Sequence, residues 1–107
     1  MKLKSVNRMK GNFENIINST TPVIIDFHAQ WCGPCKTQSP ILADVARELG
    51  DKVKIIKIDV DQNKEIAQRF QIQSVPTLMI FKQGEVKYRQ AGLHSKSQIM
   101  SVIQSNL

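Results

Sequence analysis

Trp31-Cys32-Gly33-Pro34-Cys35-Lys36 is the stretch on which the reading of the fold turns. It holds both cysteines of the 107-residue chain, two residues apart. An apolar, β-branched run, Val23-Ile24-Ile25-Asp26-Phe27-His28, leads into it. Lys36 to Leu49 follows as a helix, with Leu42, Val45, Ala46 and Leu49 at helical spacing. The two thiols therefore fall in a strand-to-helix turn at a helix N-terminus. Unpaired backbone N–H groups and the helix dipole favour negative charge there. A thiol so placed ionises more readily, and the thiolate is the nucleophile of thiol–disulfide exchange. A second thiol within reach can then resolve the mixed disulfide.

Outward from this stretch the pattern alternates between strand and helix. Leu3 to Val6 reads as a short edge strand. Phe13, Ile16 and Ile17 mark one face of a short helix, with Asn12 as its cap. Val23 to His28 is almost continuously apolar, as in a strand covered on both faces. Pro40 lies inside the long helix and predicts a kink. Val53 to Val60 is a further strand, Lys64 to Phe70 a helix, and Thr77 to Phe81 with Glu85 to Gln90 a hairpin about Gln83-Gly84. Ser95 caps a last helix with Ile99, Val102 and Ile103 inward. The order β-α-β-α-β-α-β-β-α predicts an α/β fold, a central mixed sheet flanked by helices on both faces, with residues 1–107 as one domain.

Composition narrows the function. Hydrophobic content is 41%, enough for one buried core at this length. No apolar run approaches the roughly 20 residues of a membrane span, and no apolar stretch follows the basic N-terminus as in a secretory signal. Two cysteines are too few for a disulfide scaffold. The expected location is the cytoplasm. The formal net charge is +6, but the basic residues are scattered, without a basic run or an aromatic ladder, so nucleic acid is not the expected partner. A milder consequence is steering toward acidic proteins. Zinc would need about four ligands. Only His28 and His94 could join the cysteines, so no metal is expected.

One residue resists the local pattern. Asp26 stands in the middle of an apolar strand, where a carboxylate loses its water and its pKa rises.

These features together resemble the thioredoxin family. Trp31-Cys32-Gly33-Pro34-Cys35 matches its active-site pentapeptide. Asp26 lies six residues before Cys32, and Lys57 lies in the next strand. Val75-Pro76-Thr77 matches the loop that carries a cis-proline, Phe81-Lys82-Gln83-Gly84 the hairpin turn, and Ala91-Gly92 the bend before the last helix. The resemblance spans essentially the whole chain and implies the thioredoxin fold.

It also implies roles. Cys32 would be the exposed attacking thiol and Cys35 the buried resolving one. Gly33 and Pro34 would fix the turn, with Pro34 favouring a reductant, and Trp31 would lend a flat apolar surface. Asp26, partnered by Lys57, would take the proton of Cys35 directly or through water. Val75 and Pro76 would offer a backbone edge for a substrate strand, with Ser74, Ala91, Gly92 and Leu93 completing a docking patch. His28 stands where the family usually carries an aromatic residue, and as a cation it would favour the thiolate and raise the reduction potential. Gln30 and Ser74 also depart from the usual pattern. The implied activity is dithiol–disulfide exchange on protein disulfides by a monomer without bound cofactor, re-reduced by an NADPH-linked thioredoxin reductase. An oxidant of thiols, and a binding subunit whose thiols are incidental, remain open alternatives.

Overall fold

A computed structural model of the chain describes the backbone of residues 3–6 and residues 12–107 in full. The elements run β1 (Leu3–Val6), α1 (Phe13–Ile17), β2 (Val23–His28), α2 (Gly33–Leu49), a 3₁₀ turn (Gly50–Lys52), β3 (Lys54–Asp59), α3 (Lys64–Arg69), β4 (Thr77–Lys82), β5 (Glu85–Ala91) and α4 (Lys96–Gln104). The strands form a five-stranded sheet in the order β1-β3-β2-β4-β5. β2 pairs parallel with β3 and antiparallel with β4. This central place explains its sequence: Val23 to Phe27 are all buried, because β2 has helices above and below and a strand on each side.

Strand alternation splits the core into two layers. Ile24, Ile55, Leu78 and Ile80 meet Leu42 and Val45 of α2 and Ile99 and Ile103 of α4. On the other face Ile25, Phe27, Ile58, Met79 and Phe81 meet Phe13 and Ile17 of α1 and Phe70 beyond α3. Helices thus cover both faces, as the alternating pattern implied.

Two local expectations change. Asn12 occupies the N-cap position of α1, but its side chain makes no cap, and its carbonyl accepts from Ile16 instead. The long helix starts three residues before Lys36, at Gly33, because proline suits a first turn, whose N–H groups have no intrahelical acceptor. α2 runs as one element from Gly33 to Leu49, with Pro40 on its exposed side.

Candidate active site

β2 and α2 meet at the carboxyl end of the central strand, and the short link between them carries the cysteines. Cys32 is the N-cap of α2 and Cys35 lies in its first turn; the two are joined as a disulfide with Cα atoms 5.3 Å apart. The Cys35 N–H points at the Cys32 sulfur, 3.1 Å away. In most helices a hydroxyl or carboxylate side chain receives that first-turn N–H; here sulfur does. In the dithiol form the same donor favours a charged sulfur, since N–H groups at a helix N-terminus stabilise anions.

The attacking sulfur is less open than expected. Cys32 and Cys35 are each only 4% exposed, so the contrast between an exposed first cysteine and a buried second one does not hold in the disulfide. Ala29, Val60 and Val75 close over the pair. The surface belongs to its neighbours: Trp31 is 72% exposed, and Gly33 and Pro34 are exposed as well. The Trp31 indole is tethered, its N–H donating to the Asp61 carboxylate at 2.9 Å. Asp61 itself follows a turn in which the buried Asp59 carboxylate accepts from the N–H groups of Asp61 and Gln62. The sequence reading missed Asp61, since nothing local marks a surface carboxylate 30 residues away as the partner of Trp31.

Across the disulfide lies the loop before β4. The Val75–Pro76 peptide bond is cis, as the motif implied. The Val75 carbonyl oxygen lies 3.6 Å from the Cys32 sulfur. Thr77 holds the loop from below, its hydroxyl donating to the Ser74 carbonyl. Gly92, beyond β5, donates its N–H to the Pro76 carbonyl at 2.8 Å. Its φ of 101° is one that only glycine adopts without strain. Gly33 differs: a Cβ there would meet nothing within 4 Å, so no steric need for glycine shows at that turn.

Asp26 is fully buried in β2, and by alternation from Ile24 it faces the α2 side of the sheet. In the ladder it sits between Lys57 and Leu78. Neither carboxylate oxygen has a hydrogen-bond partner among the described residues. Burial pushes its pKa up to about 7, and the Lys57 charge only partly offsets this. Lys57 acts on Asp26 by its charge and not by a hydrogen bond. Its ammonium donates to Ser39 of α2 at 2.9 Å and acts on the carboxyl through space. His28, half-buried at the end of β2, has its pKa lowered by burial and by the Lys57 charge, against a smaller pull from Asp59. Burial and the Lys57 charge thus both disfavour the cation that the resemblance suggested beside the thiols.

A polar network that the sequence reading did not find lies behind Cys35. Gln38 is fully buried one turn on, and its amide makes two hydrogen bonds with the main chain of His94. The signal was available: Gln38 occupies a core phase of α2, between Cys35 and Leu42, where helical spacing calls for an apolar side chain.

Among the described residues, no group of three or more His, Cys, Asp or Glu side chains is placed to hold a metal ion. No described helix is long and apolar enough to cross a membrane.

The family model described as Thioredoxin matches residues 4–105. Thioredoxin of Rickettsia bellii is 40% identical over 94 residues, which is 88% of this chain and 90% of that protein. Thioredoxin of Pseudomonas aeruginosa is 37% identical over 103 residues, 95% of each. The crystal structure of Malassezia sympodialis thioredoxin superposes with a TM-score of 0.87 at 31% identity, covering 98% of this chain and 90% of that one.

Proposed function

Since the chain belongs to the thioredoxin family and is a dithiol–disulfide oxidoreductase, we propose that it acts as a reductant of protein disulfides, with Cys32 as nucleophile and Cys35 as resolving thiol. The observation that carries this assignment of roles is the Cys35 N–H aimed at the Cys32 sulfur beside the cis-proline edge. Only one of the two sulfurs caps the helix, so only that one gains a charge-stabilising donor on reduction.

The steps follow from these positions. The Cys32 thiolate attacks one sulfur of a substrate disulfide; a Cys32–substrate disulfide forms, and the other substrate sulfur leaves as a thiolate and is protonated. Cys35 then gives up its proton and attacks the Cys32 sulfur. The Cys32–Cys35 disulfide forms and the second substrate thiol leaves. Asp26 is the acceptor for the Cys35 proton. Its burial, its lack of partners and a pKa near 7 suit a group that must gain and lose a proton at neutral pH. Lys57 tunes it by charge. Trp31, Gly33, Pro34, Val75, Pro76 and Gly92 form the docking rim, and the Val75 backbone can accept a substrate segment as an added strand. Because Cys32 is almost covered in the disulfide, a partner reaches it across this rim.

Disulfide-containing proteins are the substrates and a reductase is the electron donor, as for thioredoxins generally. An NADPH-linked thioredoxin reductase, a monomeric state and a cytoplasmic location complete the proposal. The excess of basic residues steers it toward acidic partners. The test is a pair of variants. Cys32→Ser abolishes insulin reduction and traps nothing, whereas Cys35→Ser accumulates mixed disulfides with its substrates. Trapping by Cys32→Ser instead would reverse the roles, and residual turnover in both would remove the dithiol from the mechanism.

A further inference from the structure

On the α2–α4 side of the sheet Gln38 of α2 is hydrogen-bonded to His94, and His94 to Tyr88, beside an apolar layer. The Gln38 amide N–H donates to the His94 carbonyl at 3.0 Å, and the His94 N–H donates to the Gln38 amide oxygen at 2.8 Å. The His94 ring is buried; its Nδ1 lies 2.9 Å from the Gly92 carbonyl and its Nε2 2.8 Å from the Tyr88 hydroxyl. With Nδ1 donating to that carbonyl, Nε2 accepts from Tyr88. From Gly92 the chain of bonds continues to Pro76, whose cis partner Val75 borders the Cys32 sulfur. It therefore runs from the first turns of the cysteine-bearing helix to the far side of the disulfide. Between Gly92 and His94 it suspends Leu93, which is 49% exposed.

A buried amide costs stability unless its bonds are made. An apolar residue at position 38 would serve the core equally well, with Leu42 and Ile99 nearby. What apolar packing cannot do is hold a main-chain segment at one register, as two parallel hydrogen bonds do. We infer that Gln38 is a positioning residue for substrate docking: by clamping the His94 backbone it fixes Gly92 and Leu93 against the cis-proline edge. Tyr88 and the His94 ring reinforce the clamp. The inference rests on the reading of this rim as the docking surface for protein disulfides. The chemistry at sulfur does not pass through Gln38, so a disulfide too small to reach Leu93 is blind to it.

The experiment compares two substrates. With insulin, Gln38→Leu lowers kcat/KM about tenfold, chiefly through KM, the size expected for losing hydrogen bonds that hold a binding loop. With a small aromatic disulfide the rate stays within about twofold. Gln38→Glu, protonated in this buried place, again offers one donor and one acceptor and restores most of the insulin activity. Hydrogen exchange at the His94 amide quickens in Gln38→Leu and not in Gln38→Glu. Should Gln38→Leu fail to fold, Tyr88→Phe, which removes only the outer bond, shifts the insulin-to-small-disulfide ratio the same way by about twofold. Equal losses on both substrates, or no change in the ratio for the folded variants, would overturn the inference and leave the oxidoreductase reading intact. Failure of the unmodified protein to reduce the small disulfide would instead strike that reading.

Discussion

On the α1–α3 side of the sheet, Phe13, Phe70 and Phe81 pack tilted or edge-to-face with ring centroids 5.5–5.8 Å apart, in an apolar cluster with Ile25, Phe27, Ile58 and Met79; the buried Thr77 beside them donates its hydroxyl to the Ser74 carbonyl. On the α2–α4 side the layer is just as deeply buried, yet it admits Asp26, Gln38 and His94. The first face obeys ordinary packing, in which area removed from water sets the stability. The second face departs from it at the end of β2, near the cysteines. Buried polar groups cost free energy unless they are bonded, so the unbonded Asp26 carboxylate marks where the fold gives up stability for chemistry. The α2–α4 face thus holds a buried carboxylate where the α1–α3 face holds an aromatic cluster.

Phe81→Ala would break the comparison most severely. Phe81 is 1% exposed and touches two other rings, so the loss expected is about 3–5 kcal/mol. Denaturant unfolding measures it. Disulfide reduction per folded molecule should not change, and a change would show that the two faces are not independent.

Asp26→Asn works in the opposite sense. A carboxyl whose pKa rises from 3.8 to about 7 on folding holds more protons folded than unfolded between those values. Its contribution is intact below pH 4 and is lost as pH rises through 7. The substitution should therefore stabilise the protein by about 2–4 kcal/mol at pH 8 and by little at pH 4, with a buried amide setting the lower bound. The same variant should slow turnover near neutral pH. A wild-type stability independent of pH between 4 and 8 would contradict the buried, unpaired carboxyl.

The smallest effect belongs to the rim. Asp61→Ala removes the acceptor of the Trp31 indole at an exposed site, so stability should shift by less than about 0.5 kcal/mol. Trp31 is the sole tryptophan, and its fluorescence anisotropy should fall as the ring is released. An unchanged anisotropy would mean that packing, not Asp61, holds the indole.

What could be read directly from the chain was local or periodic. The apolar run of Val23–Phe27, broken only at Asp26, announces a central strand, the spacing of Cys32 and Cys35 announces a redox turn, and Asp26 stands out because a charge there violates its surroundings. Val75-Pro76 was legible through its likeness to a known loop. What escaped was pairing across distance. Gln38 and His94 are 56 residues apart, and Trp31 and Asp61 are 30; no period or motif links them. The ammonium of Lys57 turning to Ser39 escaped for a related reason, because sheet register sets which backbones lie side by side and not where a long side chain ends. The depth of Cys32 depends on Val60 and Val75, which reach it only after the chain has folded back twice.

The cap of α2 has a consequence for how the molecule alternates between its two states. The amide of Cys35 already faces the sulfur of Cys32 while the bridge is closed. A donor so placed is ready to face a full negative charge, instead of a weak acceptor, once the bridge opens. A partner that tells one form from the other has the charge on this sulfur to read.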